Sequence, residues 1–401
     1  MDCRECSANR KEETISIELN EESRMNKRNL FRVIVIPVLL QIMGCNINSV
    51  EKHKMISEDT LNSSGIILSE FIFEQAPFAQ CHASTIAETE YGLVAAWFGG
   101  TRESRPDVGI WLSRCGPNGW SEVEKVADGS ELSGRQVACW NPVLFKPKSG
   151  PLMLFYKVGD DEPQWWGEYK TSSDGGKTWS KPVRLPDGIL GPIKNKPIQL
   201  PDGSILSPSS IEYYAGRNPR KDVWQVHLEL SEDMGKTWQK IGPLNNGRDF
   251  NVIQPSILIY PNRKMQILCR SEHAGHIYEA WSDDMGKTWS KMIPTELPNP
   301  DAGIDAVMLN DGRALLVYNH STSDGRDREF LNVAVSNDGR KWYAALVLEN
   351  QEGEYSYPAV IQTSDGLVHI TYTWKRKRIK HVVLDPKRFD LTEIRNGQWP
   401  E

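Results

Sequence analysis

Six polar residues stand at the head of short apolar runs along this chain: His82, Asn141, Lys196, Gln254, Asp305 and Tyr357. Imidazole, amide, ammonium, carboxylate and phenol are the groups of proton transfer and of hydrogen bonding to a polyhydroxyl ligand. A second set, Arg102, Lys157, Glu212, Arg270 and His320, follows the next apolar run. If each pair of runs is a hairpin, the residues before its first strand and after its second return to one face. Two rings of polar groups, many of them charged, around one mouth describe a glycan-binding pocket.

The elements that must position these residues repeat. A strand, tight turn, strand unit begins at His82 (HASTIAETEYGLVAAWF) and recurs from Asn141, Lys196, Gln254, Asp305 and Tyr357. The turns PDG, NDG and SDG suit hairpins, because glycine tolerates positive φ. Between units runs a repeated phrase: SSDGGKTW at Ser172–Trp179, SEDMGKTW at Ser231–Trp238 and SDDMGKTW at Ser282–Trp289. Weaker copies begin at Ser113 and Ser336, so the five slots are separated by 59, 59, 51 and 54 residues. A four-stranded unit at that period is a propeller blade. The expectation is an all-β, six-bladed propeller of four-stranded antiparallel blades, the sixth completed by His381–Pro386 or by an N-terminal strand such as Gly65–Phe73. In the phrase, Asp174 is expected to accept backbone N–H groups across a turn, Gly176 to supply the unusual backbone angle and Trp179 to pack between strands.

The 401 residues carry a net charge of −6, which argues against a nucleic-acid partner. The odd cysteine count, seven, argues against a complete disulfide framework and for buried thiols in the body of the chain. No metal spacing or phosphate loop appears there, so no cofactor is expected. Residues 1–24 form a polar leader, and translation is expected to start at Met25. The basic stretch from Met25, the apolar run VIVIPVLLQIMG and Cys45 have the layout of an export signal ending in a lipidated cysteine. Residues 25–45 are read as signal peptide, 46–65 as linker and 66–390 as the propeller. Membrane contact is then expected only through the lipid on Cys45, on the periplasmic or cell-surface side.

The phrase S-x-D-x-G-x-T-W resembles the Asp-box of the sialidase superfamily, and the resemblance extends over residues 66–386. It implies a carboxylate clamp of arginines, whose planar forks match a carboxylate, a tyrosine nucleophile activated by a glutamate, and an aspartate acid/base. Carried over by motif, Arg270 in ILCRS and Arg328 in DREFLNV fall on two of the arginines, with Arg326 the fallback for the latter. Tyr355 in GEYSYP falls on the tyrosine. Asp107 in FGGTRESRPD falls on the acid/base, with Arg102 in the same loop. Two positions depart from the pattern: His82-Ala83-Ser84 stands where the family has Arg-Ile-Pro, and Gln254-Pro255 where it has Glu-Pro. The resemblance implies an exo-acting glycoside hydrolase that removes a terminal acidic sugar. Two alternatives stay open: a polysaccharide lyase using His82 as base against a uronate, and a non-catalytic glycan-binding propeller. Lys194, the pair Trp165-Trp166 and the basic run Lys375–Arg378 are further candidates for the mouth, though packing or solvated surface explains them as well.

Overall fold

The computed structural model describes residues 65–130, 134–214, 222–323 and 327–401. The leader, the signal segment with Cys45, the linker up to Ser64 and Arg326 lie outside the described residues.

Six antiparallel sheets follow one another along the chain as the blades of a propeller. The innermost strands of blades 1 to 6 are Gln80–Thr89, Cys139–Phe145, Ile198–Gln199, Val252–Ile259, Asp305–Met308 and Tyr355–Gln362. Each pairs with the next strand through a tight hairpin. In PDG, NDG and SDG the glycines Gly203, Gly312 and Gly366 adopt φ of 94°, 88° and 86°, as the turn chemistry predicts. Because blades stack face to face, their middle strands are covered on both sides and read as continuous apolar runs. In Leu152–Val158 every position is buried. The core is therefore a ring of clusters between neighbouring blades; Phe98, Ile110, Leu144 and Leu154, for example, fill the space between blades 1 and 2.

The repeated phrase joins the third and fourth strands. Asp174 accepts the backbone N–H groups of Lys177 (3.0 Å) and Thr178 (2.9 Å) and the hydroxyls of Thr178 (2.6 Å) and Ser172 (2.7 Å). Gly176 has φ 82°, and the Trp179 indole donates to its carbonyl at 3.1 Å. The copies at Asp233 and Asp284 repeat the bond from the following threonine, and those bonds pull both carboxyls down to about 2. At Ser336 the copy has no threonine, and Asp338 binds only the N–H groups of Arg340 and Lys341 and the Ser336 hydroxyl.

Closure uses both segments expected for it. Arg378–Leu384, which contains most of HVVLDP, is the third strand of blade 6, and the N-terminal strand Ile66–Phe71 pairs with it as the fourth. The propeller extends past residue 390: Thr392–Glu393 adds a fifth strand to blade 5, and Ile394 is buried. Cys81, Cys139 and Cys269 are buried free thiols, and Cys115 is half-buried.

One irregularity positions the site. The innermost strands of blades 1, 2, 4 and 6 each break register near their start, where Ala83, Asn141, Gln254 and Tyr357 adopt φ of 54°, 38°, 56° and 52°. Such a bulge interrupts the alternation of a strand and re-aims the side chain it carries. His82 stands one residue ahead of the bulge, so the register that aligned it with Asn141, Gln254 and Tyr357 is off by one in blade 1. Lys196 and Asp305 have no left-handed residue at all.

Candidate active site

At the bulged ends of the inner strands lies a cavity of about 670 Å³. The inner strands bring His82, Asn141, Gln254 and Tyr357 to it. The ends of second strands and the loops after them bring Arg102, Glu212 and Arg270, and Arg328 enters from the loop before the third strand of blade 5.

Its arginines are anchored by carboxylates. Arg270 directs Nε (3.1 Å) and Nη2 (2.5 Å) at Asp301 Oδ1, which leaves Nη1 to donate to the Tyr357 hydroxyl (2.6 Å) and to Gln254 Oε1 (3.2 Å). Arg328 donates from Nη1 to Glu354 (3.0 Å) and from Nη2 to the Asp301 carbonyl (2.9 Å), while its buried Nε has no partner. A third guanidinium, Arg376, is held by Glu354 (Nε to Oε2, 2.8 Å) and by Glu103. Glu354 thus bridges two arginines. Its carboxyl is held below the usual range: burial alone would raise it, and the two guanidiniums with the Ser356 hydroxyl outweigh that.

Tyr357 sits among these cations. The guanidinium carbons of Arg270 and Arg328 lie 5.7 Å from its ring centre, and Lys194 Nζ lies 5.9 Å from it. Lys194 is buried, donates to the carbonyls of Ile304 (2.8 Å) and Pro358, and is pushed down to about 7 by burial. The His82 ring packs on Tyr357 with centroids 4.2 Å apart, and its buried Nδ1 has no partner. Burial first, then Arg376, Arg328, Arg270 and Lys194, hold His82 well below the usual imidazole range, so the ring is neutral.

Two carboxyls face this cationic side. Burial raises Glu212 to about 7, against the hydrogen bond that it accepts from the Tyr214 hydroxyl at 2.7 Å, and Glu162 adds to the rise by repulsion. Glu162 is itself raised by burial. Trp140, Trp165 and Trp224 supply apolar wall, with Trp140 and Trp165 edge to face at 5.7 Å.

Six sequence-derived positions lie elsewhere. Tyr355 is 2% exposed and belongs to the core between blades 5 and 6; the nearest partner of its hydroxyl is the Glu352 carbonyl at 3.4 Å. In a regular strand Tyr355 and Tyr357 would share a face. The left-handed residue at 357 separates them and turns only Tyr357 to the cavity. Asp107 is exposed, and its carboxylate takes the Thr101 N–H (2.7 Å) and hydroxyl (2.6 Å). Those bonds lower its pKa and close the loop that presents Arg102 and Glu103, so Asp107 braces the site without entering it. Lys196 and Asp305 bind each other (2.9 Å), and Asp305 also accepts the Val360 N–H (2.8 Å) and the Ser256 hydroxyl (3.0 Å). This pair ties blades 3 to 6 together away from the cavity, and Lys196 lines a separate depression at the hairpin-turn end. From the second ring, Lys157 is buried on the Pro192 carbonyl and His320 binds the Tyr318 hydroxyl.

Sequence reasoning passed over Glu162, Trp140 and Trp224, and it read Arg376 only within the basic run Lys375–Arg378, which solvated surface explained as well. Arg376 had a usable signal. The ring of residues after the second strand stops at five units, and extending it past Val368–Trp374 in the sixth reaches Arg376. Of the tandem tryptophans, Trp165 lines the cavity and Trp166 does not. Among the described residues, no group of three or more His, Cys, Asp or Glu side chains is placed to hold a metal ion.

Comparison with known proteins bears on the family and the fold. The family described as "BNR repeat-like domain" matches residues 92–370. No curated protein matches. Among solved structures, a protein of unknown function from Dyadobacter fermentans is 18% identical, with a TM-score of 0.64 over 80% of this chain and 98% of its own. The Hadza microbial sialidase Hz136 is 18% identical (TM-score 0.62; 78% of this chain, 66% of its own). The NanB sialidase from Streptococcus pneumoniae is 14% identical (TM-score 0.61; 84% of this chain, 73% of its own). At these identities the likeness is one of fold.

Proposed function

Because this chain belongs to the BNR repeat-like domain family and has a sialidase-like six-bladed propeller, we propose that it is an exo-acting glycoside hydrolase that removes a terminal acidic sugar from glycans. The observation that carries this reading is the meeting, in one cavity, of three carboxylate-anchored guanidiniums with the Tyr357 hydroxyl. A sugar carboxylate takes the N–H groups of Arg270, Arg328 and Arg376 that their carboxylate anchors leave over, a fork geometry that lysine does not offer. Arg376 stands in for the arginine that the family carries at the first strand and that His82 replaces.

Tyr357, rather than Tyr355, faces the anomeric carbon, and its oxygen stabilises the positive charge that develops there as the glycosidic bond breaks. Glu212, protonated up to about pH 7, gives its proton to the departing oxygen. Glu162, beside it in the cavity, takes the proton of the attacking water. Each turnover consumes one water and returns both carboxyls to their starting states once protons re-equilibrate with solvent. Export and lipid anchoring at Cys45 are part of the same proposal and put this pocket outside the cytoplasm.

One observation favours a second reading. His82 is neutral, lines the cavity and packs on Tyr357, a pairing of imidazole base and phenol acid that β-elimination on a uronate could use. The product separates the two. Incubation with sialyl-, ketodeoxy- and uronate-capped oligosaccharides is expected to release a saturated reducing sugar. An ultraviolet-absorbing unsaturated uronate establishes the lyase, and binding without release from any substrate leaves a lectin.

A further inference from the structure

A second polar cavity, of about 950 Å³, opens between the outer strands of blades 1 and 2. Blade 1 contributes Lys125 and Asp128; blade 2 contributes Tyr156, Trp166, Glu168, Lys170 and, from its outermost strand, Arg184. Its floor is the apolar cluster between the two blades, against which the Trp166 indole packs. Simple interblade packing would end there, in an apolar seam. Here the seam is overlaid by side chains that already hold one another in place.

Glu168 is fixed at both oxygens, by the Tyr156 hydroxyl (2.9 Å) and by the Trp166 indole N–H (2.9 Å). The Arg184 guanidinium lies over the Trp166 ring at 4.9 Å. That contact restrains the guanidinium while its N–H donors, which lie in its own plane, stay available. The nearest carboxylate to Arg184 is Asp187, at 3.6 Å and 97% exposed, a weak competitor for those donors; Arg184 itself is 58% exposed. Lys170 is tied to the Val126 carbonyl (2.6 Å), and Lys125 lies over Trp111 at 5.1 Å. Nothing in the mouth uses any of these groups.

We propose that this cleft is a second carbohydrate-binding site, one that takes a carboxylated sugar unit of an oligosaccharide. Arg184 and Lys125 receive the carboxylate, Asp128 accepts sugar hydroxyls, and Tyr156 and Trp166 form the apolar floor. Neighbouring residues Trp165 and Trp166 face the mouth and the cleft respectively, so an acidic polymer held in the cleft raises the effective concentration of its chain at the mouth. The cleft residues are separate from those of the proposed activity, so the cleft can bind an acidic glycan whether or not that activity is correct.

The test silences the mouth and then the cleft, using the full propeller. Calorimetric titration of Arg270→Ala with α2,8-linked hexasialic acid and with hexagalacturonic acid is expected to show binding of at least one of them. Maltohexaose, uncharged, serves as the control. Adding Lys125→Glu and Arg184→Glu, both on the surface, weakens that binding roughly tenfold or more, the order of a lost charge-assisted pair. The melting temperature should stay near that of Arg270→Ala. Trp166→Ala is a supporting variant, since its loss also touches the core. The proposal falls if the charge-reversed protein binds as tightly as its parent. It also falls if maltohexaose binds equally well, or if Arg270→Ala binds neither acidic hexamer at about 1 mM.

Discussion

Two tyrosines two residues apart, one in the cavity and one in the core, allow the placement of the site to be tested with a single atom removed from each. Tyr357→Phe deletes the oxygen that receives Arg270 Nη1 at 2.6 Å and lies within 3.5 Å of the Gln254 amide. Arg270 keeps its two bonds to Asp301 and its bond to Gln254, so no guanidinium is stranded. The fold should therefore lose no more than about 1 kcal/mol, the net worth of an ordinary hydrogen bond. Activity should suffer more. If the phenol oxygen only stabilises charge next to Arg270, its contribution is that of a charged hydrogen bond, about 1.5–3 kcal/mol. This corresponds to a fall in kcat/KM of roughly 10- to 150-fold. If the oxygen forms a covalent bond, the fall is larger, about a thousandfold or more. Tyr355→Phe is the control. Its hydroxyl has only the Glu352 carbonyl at 3.4 Å, so the melting temperature and kcat/KM should both stay close to wild type. The assay is release of the terminal sugar from the best acidic substrate, read alongside thermal unfolding. A Tyr355→Phe protein that is folded and inactive, beside a fully active Tyr357→Phe, would refute the bulge argument.

Further outcomes follow from the same geometry. With Glu212 raised to about 7, turnover should fall as pH rises through 7, and Glu212→Gln should abolish that limb together with most of kcat. The stability effect has the same direction: a carboxyl whose folded pKa is raised binds more protons folded than unfolded, so its contribution is full below about 4.5 and is lost as pH climbs to about 7. Glu212→Gln should accordingly flatten the fall in melting temperature between those values, which a pH series of thermal melts checks. Glu354→Gln removes the charge shared by Arg328 and Arg376 and should raise KM for acidic substrates well before it lowers kcat. Asp233→Ala cuts the bonds from Lys236, Thr237 and Ser231; it should lower the melting temperature and leave KM unchanged, as expected of a turn far from the mouth.

The architecture was legible because it is written several times. Four of the five copies of the phrase contain a serine, an aspartate and a glycine whose bonds close one kind of turn, and the copy at Ser113 keeps the serine and glycine, so the spacing measures the blade directly. Arg270, Gln254 and Glu212 were legible for a related reason: each lies at a hairpin end that the period locates. What stayed hidden depended on single backbone torsions. No pattern of residue types announces that Tyr357 rather than Tyr355 breaks the alternation, since tyrosine is an unfavourable choice for φ 52°. The same holds in blade 1, where Ala83 takes the left-handed angle and His82 reaches the cavity from the neighbouring position. Asp107 was misplaced by a different mechanism. Its loop does reach the mouth, but the carboxylate is consumed by Thr101 within six residues, a local closure that a motif match does not reveal.

The two departures from the family pattern are easier to understand together than apart. Arginine to His82 removes a positive charge and glutamate to Gln254 removes a negative one, so the net charge around Tyr357 is unchanged. Burial makes this pairing meaningful. Both positions are 2% exposed, and losing either charge alone would leave an unbalanced ion in a poorly solvated place. Arg376 then returns a guanidinium to the first-strand side of the cavity, and it arrives with its own counter-charges, Glu354 and Glu103. The carboxylate of Glu354 lies behind the arginines, where it orients them; a glutamate at 254 would lie in front, beside the phenol. The acidic groups that remain in front are Glu212 and Glu162, which burial drives toward the neutral form. On the proposed reading, anion recognition falls to the three guanidiniums, and proton handling falls to Glu212 and Glu162 instead of to the tyrosine's immediate neighbour. An enzyme that works as proposed would favour substrates whose leaving oxygen needs protonation more than their anomeric carbon needs a strong nucleophile.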